Sequence, residues 1–260
     1  MTLYKFSGAG NDFVVLDGRG KDVSEFRLKE RIGELCREYK TDGLMLLLES
    51  PEADFAMEFY NPDGSGGMMC GNGGRCIVAF ADYLGLKPAE GGLWHFVAPD
   101  GMHSARILSR EGHLWSVRLK MIDVHGVKPV LGGYFLNTGT RHFVKFVDGV
   151  DEMDVDTEGR TLRYNPAFAP EGTNVNFVER CEGFLKVRTF EKGVEGETLA
   201  CGTGITASAI AASIAGPRSR EWTLRCRRGD LLKVDFTADG EDFTEVHLTG
   251  PAELVKSVSL

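Results

Sequence analysis

Two stretches of this chain have no side that could face water. Ile205 to Ala215 carries no charged residue, and its side chains are almost all small. Ile77-Val78-Ala79-Phe80-Ala81 is nearly the same. A helix that is apolar all round must be buried on every side. Each run follows one short phrase, Cys-Gly-x-Gly. The first reads Cys70-Gly71-Asn72-Gly73-Gly74-Arg75 and continues from Cys76 to Leu84; the second reads Cys201-Gly202-Thr203-Gly204 and continues into Ile205. Gly85 and Gly216-Pro217 supply the stops. With one such unit in each half of 260 residues, the pattern predicts two central helices, each wrapped by strands.

The surrounding sequence has the material for that wrapping. Thirty-three glycines and many short apolar runs point to strands and tight turns. Strand-like pieces are Met1–Phe6, Phe13–Asp17, Leu44–Leu48, Phe55–Tyr60, Leu93–Pro99, Ala105–Leu108 and Leu114–Met121. The second half offers Tyr134–Asn137, Phe143–Val147, Asn174–Glu179, Leu185–Phe190, Trp222–Cys226, Leu231–Phe236 and Glu245–Leu248. Leu28 to Tyr39 has helical spacing, with Ile32, Leu35 and Tyr39 on one face. This is an α+β pattern, without the regular alternation of a doubly wound sheet. The expected boundary lies near 119–130, with Met121–Pro129 as a connector. That gives a domain over 1–120 carrying Cys70 and a domain over 121–248 carrying Cys201, with residues 249–260 returning to the first.

Bulk properties exclude several classes. The net charge of −8 and the lack of a Lys/Arg cluster argue against a nucleic-acid surface or an anionic-membrane anchor. No run of about 18 apolar residues exists for a membrane span. Met1 to Asp17 lacks the profile of a signal peptide. Six cysteines in such a chain read as reduced thiols in the cytoplasm rather than a disulfide frame. Cys36, Cys76, Cys181 and Cys226 are expected to pack as small hydrophobes.

Cys70 and Cys201 differ because of where they sit. A helix N-terminus presents unpaired N–H groups and partial positive charge, and glycines there admit an anion close to the backbone. Each thiol should ionise more easily than a free one, whose pKa is about 8.5. A carboxylate held by two such helix starts would have its developing negative charge stabilised as an α-proton leaves. One cysteine as thiolate then removes the proton, and the other, as thiol, donates to the opposite face. The pair shares one proton and titrates as a unit. The scheme needs no metal or pyridoxal cofactor.

Four separated motifs accompany the cysteines. They are Lys5-Phe6-Ser7-Gly8-Ala9-Gly10-Asn11-Asp12-Phe13, Asn61-Pro62-Asp63-Gly64-Ser65 with Cys70 to Cys76, Gly172-Thr173-Asn174-Val175, and Gly196-Glu197-Thr198-Leu199-Ala200 with Cys201 to Gly204. Together, and in this order over nearly the whole chain, they resemble the diaminopimelate epimerases. The resemblance implies a cofactor-independent two-base enzyme converting LL- to meso-diaminopimelate, in lysine and peptidoglycan precursor biosynthesis. It also implies two pseudo-symmetric domains, each a mixed, barrel-like sheet around a central helix, with the active site in the cleft between them, and a homodimer. Position by position, Cys70 and Cys201 resemble the base and acid. Gly71-Asn72 and Gly202-Thr203 resemble the cradle of the reacting carboxylate. Asn11, Asn61 and Asn174 resemble the binders of the rest of the substrate, and Glu191 and Lys192 fall where the family has a Glu-Arg pair.

Several positions depart from the family pattern. Lys192 replaces arginine, exchanging a planar two-pronged grip for a point charge. Thr140-Arg141-His142 stands where many members read Asn-Pro-His, and Tyr39 to Gly43 departs from a glycine-rich stretch. These lie on the substrate-selecting side, so a racemase of another free amino acid in the same superfamily is the nearer alternative. A remote one is an S-adenosylmethionine-dependent methyltransferase, because Gly202-x-Gly204-x-x-Ala207 mimics a nucleotide loop. The polar stretch before it and the 45 residues from Gly216 onward do not suit a doubly wound sheet. Bland readings also exist: Asn11, Asn61 and Asn174 sit beside turn residues, His142 could be an ordinary satisfied histidine, and Glu191-Lys192 could be a solvated loop pair.

Overall fold

A computed structural model describes every residue except Met68, Glu90, Arg218 and Leu260. The chain divides into two compact units, residues 1–119 with 250–260 and residues 120–249. Among the described residues no helix is long and apolar enough to cross a membrane.

The first unit runs β1 (Thr2–Gly8), β2 (Asn11–Asp17), α1 (Lys29–Tyr39), β3 (Gly43–Leu48), β4 (Phe55–Tyr60), α2 (Gly71–Tyr83), β5 (Leu93–Ala98), β6 (Gly101–Glu111) and β7 (Leu114–Lys120). Pairing is antiparallel for β1–β2, parallel for β2–β3, antiparallel for β3–β4 and parallel for β4–β5. The β5–β6 and β6–β7 pairs are antiparallel. The last segment of the chain then bridges β7 to β1, pairing Gly250 with Val117 and Thr2 with Ser259. The ladder therefore closes on itself.

The second unit repeats this plan. It runs β8 (Val124–His125), β9 (Lys128–Val130), β10 (Gly133–Asn137), β11 (Arg141–Phe146), α3 (Val155–Arg163), β12 (Asn174–Cys181), β13 (Phe184–Glu191), β14 (Gly196–Thr198), α4 (Gly202–Ala215), β15 (Glu221–Arg225), β16 (Leu231–Asp239) and the first part of β17 (Asp242–Ser259), whose residues from 250 onward belong to the first unit. Pairing along β10-β11-β12-β13-β15-β16-β17 follows the same sequence of antiparallel and parallel steps as β1 to β7. β8 and β9 complete it, one on β17 and the other on β10. The expected connector over Met121–Pro129 thus contributes two short strands, and Val124 and Val127 of this stretch are buried.

Each sheet has two apolar faces. One covers a surface helix: Val14, Leu16, Leu44 and Leu46 meet Ile32 and Leu35 of α1. In the second unit Phe143, Val175, Phe177 and Phe190 meet Val155 of α3. The other face wraps the central helix. Phe80 of α2 is fully buried, with ring centroids 5.0 Å from Tyr4 and 5.6 Å from Phe6. Truncating such a side chain to alanine costs about 3–5 kcal/mol. Along α4, Ile205 to Ser213 is buried throughout.

Helix α3 has no counterpart in the sequence reading. Its start is set by Asp154, whose carboxylate accepts the Thr157 N–H at 3.1 Å. Gly159 lets its backbone lie directly on Phe190, where a β-carbon would collide with the ring.

Candidate active site

Cys70 is the N-cap of α2, in extended conformation (φ −106°, ψ 151°), and Cys201 is the N-cap of α4 (φ −125°, ψ 109°). The Cys70 sulfur accepts the N–H of Gly73 at 3.2 Å. An N–H donated to sulfur, added to the helix dipole, favours the thiolate. The Cys201 sulfur lies 3.4 Å from the Thr203 hydroxyl.

Around Cys70 the first turn of α2 is held by a polar chain. Asn72 donates its amide to Asn11 Oδ1, in a short contact. Asn11 Nδ2 in turn donates to Asp42 Oδ2 at 3.3 Å, and Asp42 also accepts the Asp12 N–H at 2.8 Å. Arg75, fully buried, donates to Gly71 O and Asn72 Oδ1 at 2.9 Å each and to Pro251 O at 3.3 Å. The sequence reading missed Arg75 and Asp42. A charged residue inside an apolar run was the available signal for the first. Gly8 carries no side chain because a β-carbon there would lie 2.8 Å from Asn72 O and 3.0 Å from Cys76 Sγ. The Asn61 side-chain amide donates to Ser65 Oγ at 3.0 Å and its backbone carbonyl accepts the Gly64 N–H at 2.9 Å, an arrangement that orders its own turn.

Around Cys201 the register of three strands does the equivalent work. His142 pairs with Asn174 across β11–β12, and Asn176 pairs with Thr189 across β12–β13. Because the side-chain period is two, His142, Asn174, Asn176, Thr189 and Glu191 share one face. His142 and Asn176 are fully buried. His142 Nε2 lies 2.9 Å from both Thr140 Oγ1 and Thr203 Oγ1, and its Nδ1 lies 3.0 Å from Asn176 Nδ2. Burial lowers the imidazole pKa from 6.5 to about 3, so the ring is neutral at physiological pH. Thr138 fastens the loop to the helix start, donating to Thr203 O at 2.9 Å.

Asn174 is 5% exposed. Its amide donates to Arg141 O at 2.9 Å and Thr140 Oγ1 at 3.3 Å, and its Oδ1 accepts the Lys192 N–H at 2.8 Å. It therefore fixes the backbone at the end of β13, where half-buried Glu191 and exposed Lys192 follow one another. Of the other cysteines, Cys36, Cys76 and Cys226 are buried, and desolvation pushes each thiol up. Cys181 is half-buried. Among the described residues no three His, Cys, Asp or Glu side chains converge as a metal site would.

This fold has solved counterparts. A phenazine biosynthesis protein from Bacillus anthracis superposes with a TM-score of 0.79 at 14% identity, over 100% of this chain and 98% of that one. A hydroxyproline epimerase from Agrobacterium vitis gives 0.68 at 17% identity, over 99% and 91%. At these identities the likeness is one of fold. The family model for diaminopimelate epimerase matches residues 3–91 and 134–255. The diaminopimelate epimerase of Flavobacterium psychrophilum is 39% identical over 98% of each chain, and that of Chlorobaculum tepidum 40% identical over 96% of this chain and 97% of its own. The protein is an isomerase of the epimerase class, with a mixed α+β fold. The chain belongs to the diaminopimelate epimerase family.

Proposed function

We propose that this enzyme inverts one α-carbon of LL-diaminopimelate to give the meso isomer, a lysine and peptidoglycan precursor, with Cys70 and Cys201 as the proton-transferring pair. The observation that supports this is the shared setting of the two sulfurs. Each belongs to the N-cap of a helix buried over most of its length, beside backbone N–H groups suited to an anion. One thiolate takes the α-proton and becomes a thiol. The other thiol gives its proton to the opposite face and becomes a thiolate, so the pair ends with its protonation exchanged. Gly71-Asn72 and Gly202-Thr203 hold the reacting carboxylate, whose oxygens carry the charge of the carbanionic transition state.

The reading requires both thiols at one carbon and therefore a substrate held by both units. Asn11, Asn61 and Asn174 position the remainder of the substrate, with Glu191 facing its distal ammonium group and Lys192 its distal carboxylate. Lys192 compensates in charge for an arginine and not in planarity. Both thiols must stay reduced to work, which suits the cytoplasm. The homodimer rests on the family resemblance.

A panel of free amino acids tests the substrate. LL-diaminopimelate should be epimerised with a kcat/KM at least about 100-fold above that for proline or hydroxyproline, since unpaired polar groups at the distal subsites penalise a substrate lacking them. Turnover of a cyclic amino acid with no action on diaminopimelate would replace this substrate by another.

A further inference from the structure

Asn176 makes more contacts than a strand residue needs. Its Nδ2 lies 3.2 Å from Phe143 O as well as 3.0 Å from His142 Nδ1, and its Oδ1 lies 2.9 Å from the Thr189 hydroxyl. A backbone carbonyl only accepts. The amide nitrogen must therefore face Phe143 O, because the flipped amide would set oxygen against oxygen there. The same NH2 group then meets His142 Nδ1, which has to accept. In a neutral imidazole this leaves the proton on Nε2.

The consequence runs outward toward Cys201. His142 Nε2–H donates to the Thr140 and Thr203 hydroxyl oxygens, both at 2.9 Å. Thr140 also receives Asn174 Nδ2 at 3.3 Å, so its own proton turns to Thr203 Oγ1, 3.3 Å away. Among the contacts of the described residues, the Cys201 sulfur at 3.4 Å then accepts the Thr203 hydroxyl proton. With the opposite tautomer Nε2 would accept, and the Thr203 proton would turn from sulfur to ring.

We propose that Asn176 is a positioning residue that locks His142 as the Nε2–H tautomer and thereby aims the Thr203 hydroxyl at the Cys201 sulfur, favouring its thiolate. Gly204 makes room for this, since a β-carbon there would collide with Asn176 Oδ1. The inference rests on Cys201 being a reacting thiol, yet its readouts need no substrate, so they stand apart from the test of epimerisation.

The experiment is long-range ¹H–¹⁵N correlation of the histidine rings in the labelled full chain, with the His142 signals assigned by their loss in H142Q. The wild type should show protonated Nε2 and bare Nδ1. In N176D the carboxylate demands a proton from Nδ1, so the pattern should change, and iodoacetamide should alkylate Cys201 about tenfold more slowly at neutral pH while Cys70 is unaffected. Wild-type His142 protonated on Nδ1, or N176D with an unchanged ring and unchanged Cys201 reactivity, would overturn the proposal. Should N176D not fold, the wild-type spectrum and T203V decide it. T203V should slow Cys201 alkylation similarly, and unaltered reactivity there would also overturn it.

Discussion

The Gly73 N–H donates to the Cys70 sulfur across 3.2 Å, three residues along the chain, so the proposed catalytic atom also caps its own helix. Serine caps helices well, whereas alanine gives up about 0.5–2 kcal/mol at such a position. C70S should therefore keep its stability within about 0.5 kcal/mol by chemical denaturation while losing at least about 100-fold in kcat. C70A should lose both. Substantial activity in C70S would remove the thiol from the mechanism.

Gly204 supports the other cysteine through space it leaves empty. A methyl group in G204A would press on Asn176 Oδ1 and stand 3.3 Å from His142 Cε1. The expected cost is about 1–3 kcal/mol in denaturant unfolding, together with slower alkylation of Cys201. A variant as stable and reactive as the wild type would show that the Asn176 side chain is not confined there.

His142 leaves a mark on the pH dependence of stability. Its pKa falls from 6.5 to about 3 on folding, so between these values the unfolded chain binds the extra proton. Stability then rises with pH in this window, and acidification from about 6.5 toward 3 removes up to about 1.4 kcal/mol per pH unit. H142Q, with no imidazole to protonate, should show a shallower fall in unfolding free energy between pH 6.5 and 4.5. Parallel curves for the two proteins would mean that the ring is charged in the folded state.

Much of this architecture was legible because it depends on local chemistry. The run that begins at Ile205 is buried as far as Ser213 and emerges at Ile214, and the cysteine before the glycines stands at its start. Strands with clean alternation, such as Phe55–Tyr60, were equally plain. Elements fixed by contacts distant in sequence were not. Helix α3 is short and polar, and it is seated by Val155 in the core and by Gly159, which lies against Phe190. β8 and β9 look like a connector until β17 and β10 are there to pair with them. In the site, Asn176 and Thr189 are unremarkable strand residues by sequence. Only the register of β11, β12 and β13 sets them behind His142.

Arg75 illustrates the same limit. Its guanidinium ties the first turn of α2 to the returning segment through Gly71 O, Asn72 Oδ1 and Pro251 O. R75M fills similar space but leaves these acceptors without their donor. Unfolding free energy should drop by about 2–4 kcal/mol, and kcat should fall as Asn72 loses its support. A stable, fully active R75M would show that the Asn72 amide keeps its place without Arg75.

In the proposed reaction one thiolate removes the α-proton and the other thiol supplies a different proton to the opposite face of the same carbon. LL-diaminopimelate incubated with the enzyme in deuterated water tests it most directly, followed by mass and chirality analysis, with C70A and C201A run alongside. The account expects meso product carrying one deuterium at the inverted carbon, and no epimerisation by either alanine variant. Meso product that retains the original hydrogen, or full turnover by either variant, would contradict it.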